Sequence, residues 1–215
     1  MAIDKSDQER ALRHILSAER AAKAPFKLTA EPPALTQVAL TQVALAQVAV
    51  VGGGTMGSGI AYALLNAGLN VIVLEADADG MARAKVNIDK IIAASLNRGF
   101  IDARQAEDHL DRLLICDDYS QANAVELAIE AAFESMDVKR EILTKLEAAL
   151  SDEAILATNT SYLDVNEIAA TIQNPTRVIG LHFFAPAHIM KLLEIVKGDK
   201  TSDRTLAAGY ALAQR

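Results

Sequence analysis

An α/β fold built on a doubly wound, mainly parallel sheet is what this sequence predicts, and two observations predict it. Short apolar segments alternate with stretches of helical spacing, the pattern of parallel strands covered on both faces. The run Gln47 to Ala61, QVAVVGGGTMGSGIA, also passes from strand through a glycine turn into a helix with the spacing G-x-G-x-x-G. Gly52 permits the tight turn, Gly54 lets the backbone approach a diphosphate, and Gly57 lets the helix pack against the strand. The N–H groups at the helix start and its dipole favour a bound diphosphate. The expected class is therefore a Rossmann-type sheet, with one helical excursion after the second strand.

Taken in order, Ser6 to Lys23 reads as an amphipathic helix, opened by Ser6 and Glu9 at capping-box spacing. Pro25 and Pro32-Pro33 mark a linker. A pentapeptide then appears three times, from Thr36, Thr41 and Ala46. An odd period sends equivalent residues to opposite strand faces, so the copies cannot form one long strand. Only the third abuts the glycine turn and is expected to be the first strand. A helix follows to Ala67, closed by Gly68, and Asn70 to Leu74 is the second strand. Helices are expected over Gly80–Asn97 and Asp102–Leu114, split at Gly99. Further strands are expected at Val125–Ala132, Ala154–Thr158, Arg177–Phe183 and Lys191–Val196. Helices are expected at Val138–Leu150, Val165–Thr171 and Ser202–Arg215. The domain reading is 1–46 as an N-terminal helix and linker, 47–200 as a nucleotide-binding domain, and 201–215 as the start of a connecting helix.

Composition bounds the chemistry. The chain has 215 residues, 51% of them hydrophobic and 23% charged, the balance of a soluble globular protein. A net charge of -7 argues against nucleic acid as partner, while backbone N–H groups can still hold a phosphate. Cys116 is the lone cysteine, which excludes an intrachain disulfide and points to a reducing, cytoplasmic setting. The first twenty residues are charged throughout and read as neither a secretory signal nor a transit peptide. The uncharged span between Glu31 and Glu75 is broken by prolines, glutamines and glycines, so no membrane insertion is expected. No metal site is expected either.

Two carboxylates stand out. Glu75 ends the second strand, where an acid accepts both hydroxyls of an adenosine ribose and repels a 2′-phosphate, favouring NAD over NADP. Glu194 lies inside Leu192-Leu193-Glu194-Ile195-Val196, so it either faces solvent on an edge or is paired. Its candidate partner is His182, at the carboxyl end of the preceding strand. A carboxylate on one imidazole nitrogen fixes the tautomer and raises the basicity of the other, which makes a general base.

At this point the chain resembles the NAD-dependent (S)-3-hydroxyacyl-CoA dehydrogenases. The resemblance rests on Gly52–Ala61, on Ala157-Thr-Asn-Thr-Ser161, and on Gly180-Leu-His-Phe-Phe followed by Pro186 and Met190-Lys-Leu-Leu-Glu194. Pro186-Ala187-His188 and the leading helix look more like the multifunctional β-oxidation enzymes, in which an enoyl-CoA hydratase module precedes the dehydrogenase. The resemblance implies His182 as general base, Glu194 as the acid that orients it, and Ser161 as a hydroxyl near the substrate oxygen. It implies NAD held by Gly52, Gly54, Thr55, Met56, Gly57, Glu75, Ala131, Glu134 and Lys139, the last two beside the nicotinamide ribose. Read by themselves, Ser161 is a helix-entry serine and Lys139 a solvated helix lysine. The excursion from Gly80 would lie beside the CoA, with Lys85, Lys90 and Arg98 near its phosphates or simply solvated.

Two departures matter. Ala185 stands where the family usually has Asn or Ser, and the chain stops before the family's helical C-terminal domain. The implied partners are an acyl-CoA, an upstream hydratase module, that C-terminal domain, and in the intact enzyme a second copy. The implied chemistry is fatty-acid β-oxidation, with this chain weakly active alone. A relative acting on a hydroxy acid or sugar acid, and a non-catalytic nucleotide-binding module, remain the alternatives.

Overall fold

The computed structural model describes residues 45–215, together with Arg13, His14, Leu16 and Ser17. Those four are helical and exposed. The rest of the expected N-terminal helix, the linker and the first two pentapeptide copies up to residue 44 lie outside the described residues. All elements below belong to the compact unit Gln37–Arg215.

Seven strands form one sheet: β1 (Gln47–Val51), β2 (Asn70–Leu74), β3 (Leu113–Cys116), β4 (Leu127–Glu130), β5 (Ile155–Thr158), β6 (Val178–Phe183) and β7 (Leu193–Val196). Their order is β3-β2-β1-β4-β5-β6-β7, all parallel except β7, which runs antiparallel to β6. The helices are α1 (Thr55–Asn66), α2 (Ala78–Asn97), α3 (Ala103–Asp111), α4 (Met136–Ala149), α5 (Val165–Ala169) and α6 (Asp203–Ala213). The third pentapeptide copy is thus the central strand, with Val48 beside Val71 and Leu127.

Successive strand residues point to opposite faces, and both faces are covered. Ala49, Val51, Ile72, Leu74, Ala128 and Leu156 pack under Ile142, Leu143 and Leu146 of α4 and Val165 and Ile168 of α5. The opposite face is covered by α1 against β1 and β2 and by α6 against β6 and β7. At about 1.5–3 kcal/mol for each large apolar side chain, this double burial is why the strands read as unbroken apolar runs. Helix α1 ends in a Schellman turn: Gly68, at φ +86, donates to Leu65 O and Leu69 donates to Leu64 O.

One element departs from expectation. The helix expected over Asp102–Leu114 stops at Asp111, and Leu113–Cys116 is the edge strand β3, paired with β2. Leu113–Cys116 is apolar enough for either state, and tertiary pairing decided it. Arg112 fixes the boundary: its guanidinium binds Asp108 and the Leu69 carbonyl, while its own carbonyl accepts from Val71 N–H. The edge position also leaves Leu114 exposed. The remaining boundaries shift by at most two residues, and β7 begins at Leu193 rather than Lys191. Among the described residues no helix is long and apolar enough to cross a membrane.

The excursion α2–α3 docks on α1 through Tyr62, whose ring lies edge-on between His109 of α3 and His188 of the β6–β7 loop. Both Nδ1 atoms are buried and make no hydrogen bond among the described residues. Burial lowers the pKa of His109, with Arg112 adding and Asp108 opposing; burial and then Arg98 lower that of His188. The folded state therefore prefers both rings neutral, and the unfolded chain binds more protons below the ordinary histidine pKa of about 6.5. Stability should be level above that pH and fall as the pH drops through and below it, until the folded pKa values are passed. Urea midpoints at stepped pH between 7.5 and 5.5 test this, and His109→Phe should flatten the slope. A midpoint independent of pH across that range would contradict it.

Candidate functional site

The carboxyl ends of β1, β2, β4, β5 and β6 open on one cleft of about 650 Å³, lined among others by Gly52, Gly54, Glu75, Glu134, Ser161 and His182. This is where open α/β sheets gather ligands, because the first turns of the following helices point there. Each glycine of the turn has a measurable reason. Gly52 sits at φ +95. A Cβ on Gly57 would stand 1.7 Å from the Gly52 carbonyl oxygen, so any side chain would push α1 off β1. A Cβ on Gly54 would meet nothing within 4 Å, because Gly54 faces the open cleft. Gly54 is also the N-cap of α1 and offers no side-chain cap, and the first turn holds no acid. The leading N–H groups of a twelve-residue helix are thus presented to the cleft, a fit for a dinucleotide pyrophosphate. Glu75, at the end of β2, accepts the N–H of Gly53 and that of Ala76. Its carboxylate is thereby held against the glycine turn.

Beneath the side of the cleft lined by Glu134 and Ser161 lies a buried charge network. Glu130 ends β4 with its side chain fully buried, and Lys139 of α4 is 1% exposed. The Lys139 ammonium donates to both Glu130 oxygens, at 3.0 and 2.9 Å, and to Glu134 at 2.9 Å. Thr158 Oγ1 donates to Glu130 at 2.7 Å, and Ala132 N–H at 2.8 Å. Glu134 in turn accepts from the Thr160 hydroxyl and from the Ser161 N–H at 3.0 Å. Burial pushes the Glu134 carboxyl up, but the hydrogen bonds from Thr160, Lys139 and Ser161, with the Lys139 charge, outweigh it and leave the pKa below its ordinary value. The stability this confers is present above the ordinary carboxylate range and is lost as pH falls through the lowered value, well below the histidine range.

On the other side, β6 and β7 place His182 opposite Glu194 in antiparallel register. Nδ1 of His182 is 2.8 Å from Glu194 Oε2, and the carboxylate accepts the Nδ1 proton in the neutral tautomer that leaves Nε2 a lone pair. Asn159 Oδ1 accepts the Phe183 N–H at 2.8 Å, tying the end of β5 to the residue after His182.

The family model described as 3-hydroxyacyl-CoA dehydrogenase, NAD binding domain, matches residues 47–215. The chain belongs to this family. A peroxisomal fatty acid beta-oxidation multifunctional protein of Arabidopsis thaliana is 34% identical over 201 residues, 94% of this chain and 27% of that protein. The 3-hydroxyadipyl-CoA dehydrogenase of Escherichia coli is 40% identical over 149 residues, 69% of this chain and 31% of that enzyme. The chain thus spans less than a third of either curated relative. Among solved structures, the (S)-3-hydroxybutyryl-CoA dehydrogenase of Ralstonia eutropha superposes with a TM-score of 0.77 at 32% identity, covering 80% of this chain and 60% of that one.

Within this chain, Gly52, Gly54, Thr55, Met56, Glu75, Ala131, Glu134, Ser161 and His182 all line the cleft. Gly57 lies beneath the turn, and Glu194 stands behind His182, paired and half-exposed on the edge strand. Of the two states foreseen for Glu194, edge and paired, it has both. The solvated reading of Lys139 is corrected: the side chain is buried, and it touches the cleft residue Glu134. Glu130 was passed over, and Thr158 and Asn159, though inside the motif Ala157–Ser161, were given no role of their own. The available signal was Glu130 itself, a carboxylate closing the buried strand Leu127–Glu130, which calls for a buried cation. Among the described residues no group of acids, histidines and cysteines could hold a metal ion.

Proposed function

We propose that this chain is the NAD-binding part of an enzyme that oxidises (S)-3-hydroxyacyl-CoA to 3-oxoacyl-CoA in fatty-acid β-oxidation. The observation that carries the reading is the His182–Glu194 pair opening on the same cleft as the glycine turn. NAD supplies the acceptor for the hydride from C3. His182 Nε2 takes the proton of the 3-hydroxyl as that hydride leaves, and Glu194 stabilises the imidazolium that forms. Ser161 donates a hydrogen bond toward the substrate oxygen. Glu75 accepts the adenosine ribose hydroxyls and disfavours a 2′-phosphate, while Glu134, held by Lys139, faces the nicotinamide ribose. The names of the relatives support an acyl-CoA over a free hydroxy acid or sugar acid.

We read residues 1–46 as helix and linker behind an enoyl-CoA hydratase module, 47–200 as the NAD domain, and 201–215 as the entry to a helical domain. The multifunctional relative supports that arrangement. Cys116 supports a reducing compartment, which we take to be the cytoplasm. In the intact enzyme a second copy would be a further partner.

With NAD and a short (S)-3-hydroxyacyl-CoA, the chain should form NADH slowly. His182→Gln should reduce that rate about 10²–10⁴-fold while leaving NADH affinity within roughly two-fold. An unchanged rate would remove His182 from the reaction, and the proposal with it.

A further inference from the structure

The residue between the two glycines of the turn, Gly53, is held from three sides. Its N–H goes to Glu75. Its carbonyl oxygen accepts two side-chain donors: the buried Ser58 hydroxyl of α1 at 2.7 Å, and the Asn87 amide of α2 at 3.1 Å. Helix α2 also presses directly on this residue, since a Cβ on Gly53 would stand 2.2 Å from the Ala84 Cβ. Gly53 is glycine because the excursion helix sits on it.

The Gly53–Gly54 peptide is trans and planar, so fixing its carbonyl fixes the opposite N–H. In a trans peptide the Gly54 N–H points opposite to that carbonyl, away from the Ser58 and Asn87 donors, and Gly54 itself lines the cleft. That N–H belongs to the same set of helix-start donors that faces a diphosphate.

We propose that Asn87 is a positioning residue for the dinucleotide: acting through the Gly53 carbonyl, it aims the Gly54 N–H at the pyrophosphate. Ser58 shares the task from inside the core. Asn87 is the part supplied by the excursion, so α2 is coupled to the cofactor loop by a hydrogen bond as well as by packing.

This inference rests on the NAD reading, and its test separates the two. The chain has no tryptophan, so bound NADH can be followed by its own emission without a protein background from indole. Asn87→Ala keeps a good helix former at a half-buried position and should fold. It should bind NADH roughly 3- to 10-fold more weakly, the scale of one lost hydrogen bond, with its melting temperature little changed. Asn87→Asp should be weaker still, because it sets a carboxylate against the Gly53 carbonyl. Displacement of NADH by adenosine, which lacks phosphate, should be the same in wild type and Asn87→Ala, whereas displacement by ADP-ribose should weaken in the variant. Equal NADH affinity in wild type and Asn87→Ala overturns the inference, as does an equal loss for adenosine and ADP-ribose. A wild-type chain that binds no NADH overturns the NAD reading itself.

Discussion

Replacing Lys139 by Met should destabilise the chain by about 3–5 kcal/mol, the usual scale for breaking a buried ion pair from one side. The ammonium is 1% exposed and stands between Glu130, fully buried, and Glu134, so its removal leaves a carboxylate deep under the cleft without a counter-charge. Two of the four hydrogen bonds to the Glu130 oxygens would vanish with it, leaving those from Thr158 and Ala132. The partner substitution separates charge from packing. Combining Lys139→Met with Glu130→Gln should recover much of the loss, because the uncompensated charge goes with the acid. Urea denaturation of the single and double variants measures both numbers. A single-variant loss under about 1 kcal/mol, the worth of a solvated surface pair, would contradict the account. NADH affinity should fall in the single variant too, since Glu134 and Ser161 lose the anchor that holds them at the rim.

A second large effect is expected at Gly57, with Gly54 as its contrast. Gly57→Ala brings a methyl to 1.7 Å from the Gly52 oxygen and 2.9 Å from its carbon, both backbone atoms that cannot turn aside. Either α1 lifts or the turn opens, at a cost on the order of 1–3 kcal/mol or more. The leading N–H groups then no longer converge, and NADH binding should fall beyond ordinary titration range. Gly54→Ala meets no atom within 4 Å and should leave the melting temperature close to wild type. Its methyl would nevertheless occupy the space into which a pyrophosphate must come, so NADH binding should drop there as well. Two alanines three residues apart would thus share one binding defect with opposite stability outcomes. Should Gly57→Ala melt and bind like wild type, the packing role assigned to that glycine would be wrong.

The parts of this site that could be read from residues alone are those whose chemistry is local. The glycine turn needs only its own spacing, and Glu75 needs only its place at the end of an apolar strand. The His182–Glu194 pair was legible because an acid inside Leu193–Val196 demands an explanation, and the neighbouring strand offers one. Lys139 was not legible as a buried cation. It shares a helix face with Ile142, Leu143 and Leu146, but a charge in that row reads as its solvated margin, and only the fold brings it against Glu130, whose strand packs beneath it. Strand β3 was hidden for a related reason: Leu-Leu-Ile-Cys has no local preference strong enough to oppose a helix, and the pairing with β2 is a contact between residues some forty positions apart. The clamp on Gly53 is likewise non-local, joining residues of three different elements.

Strand β1 has a further consequence for how the chain reaches this fold. Its slot between β2 and β4 takes Gln47-Val48-Ala49-Val50, and the sequence offers nearly the same thread from Gln37 and again from Gln42. As strand sequences the three are nearly alike, so strand composition alone does not select among them. What distinguishes the third copy is downstream: only it is followed by glycines that can turn and by a helix that can pack back. The correct threading is therefore committed by the local unit β1–turn–α1. The same glycine turn that opens on the cleft also serves as the register mark of the central strand.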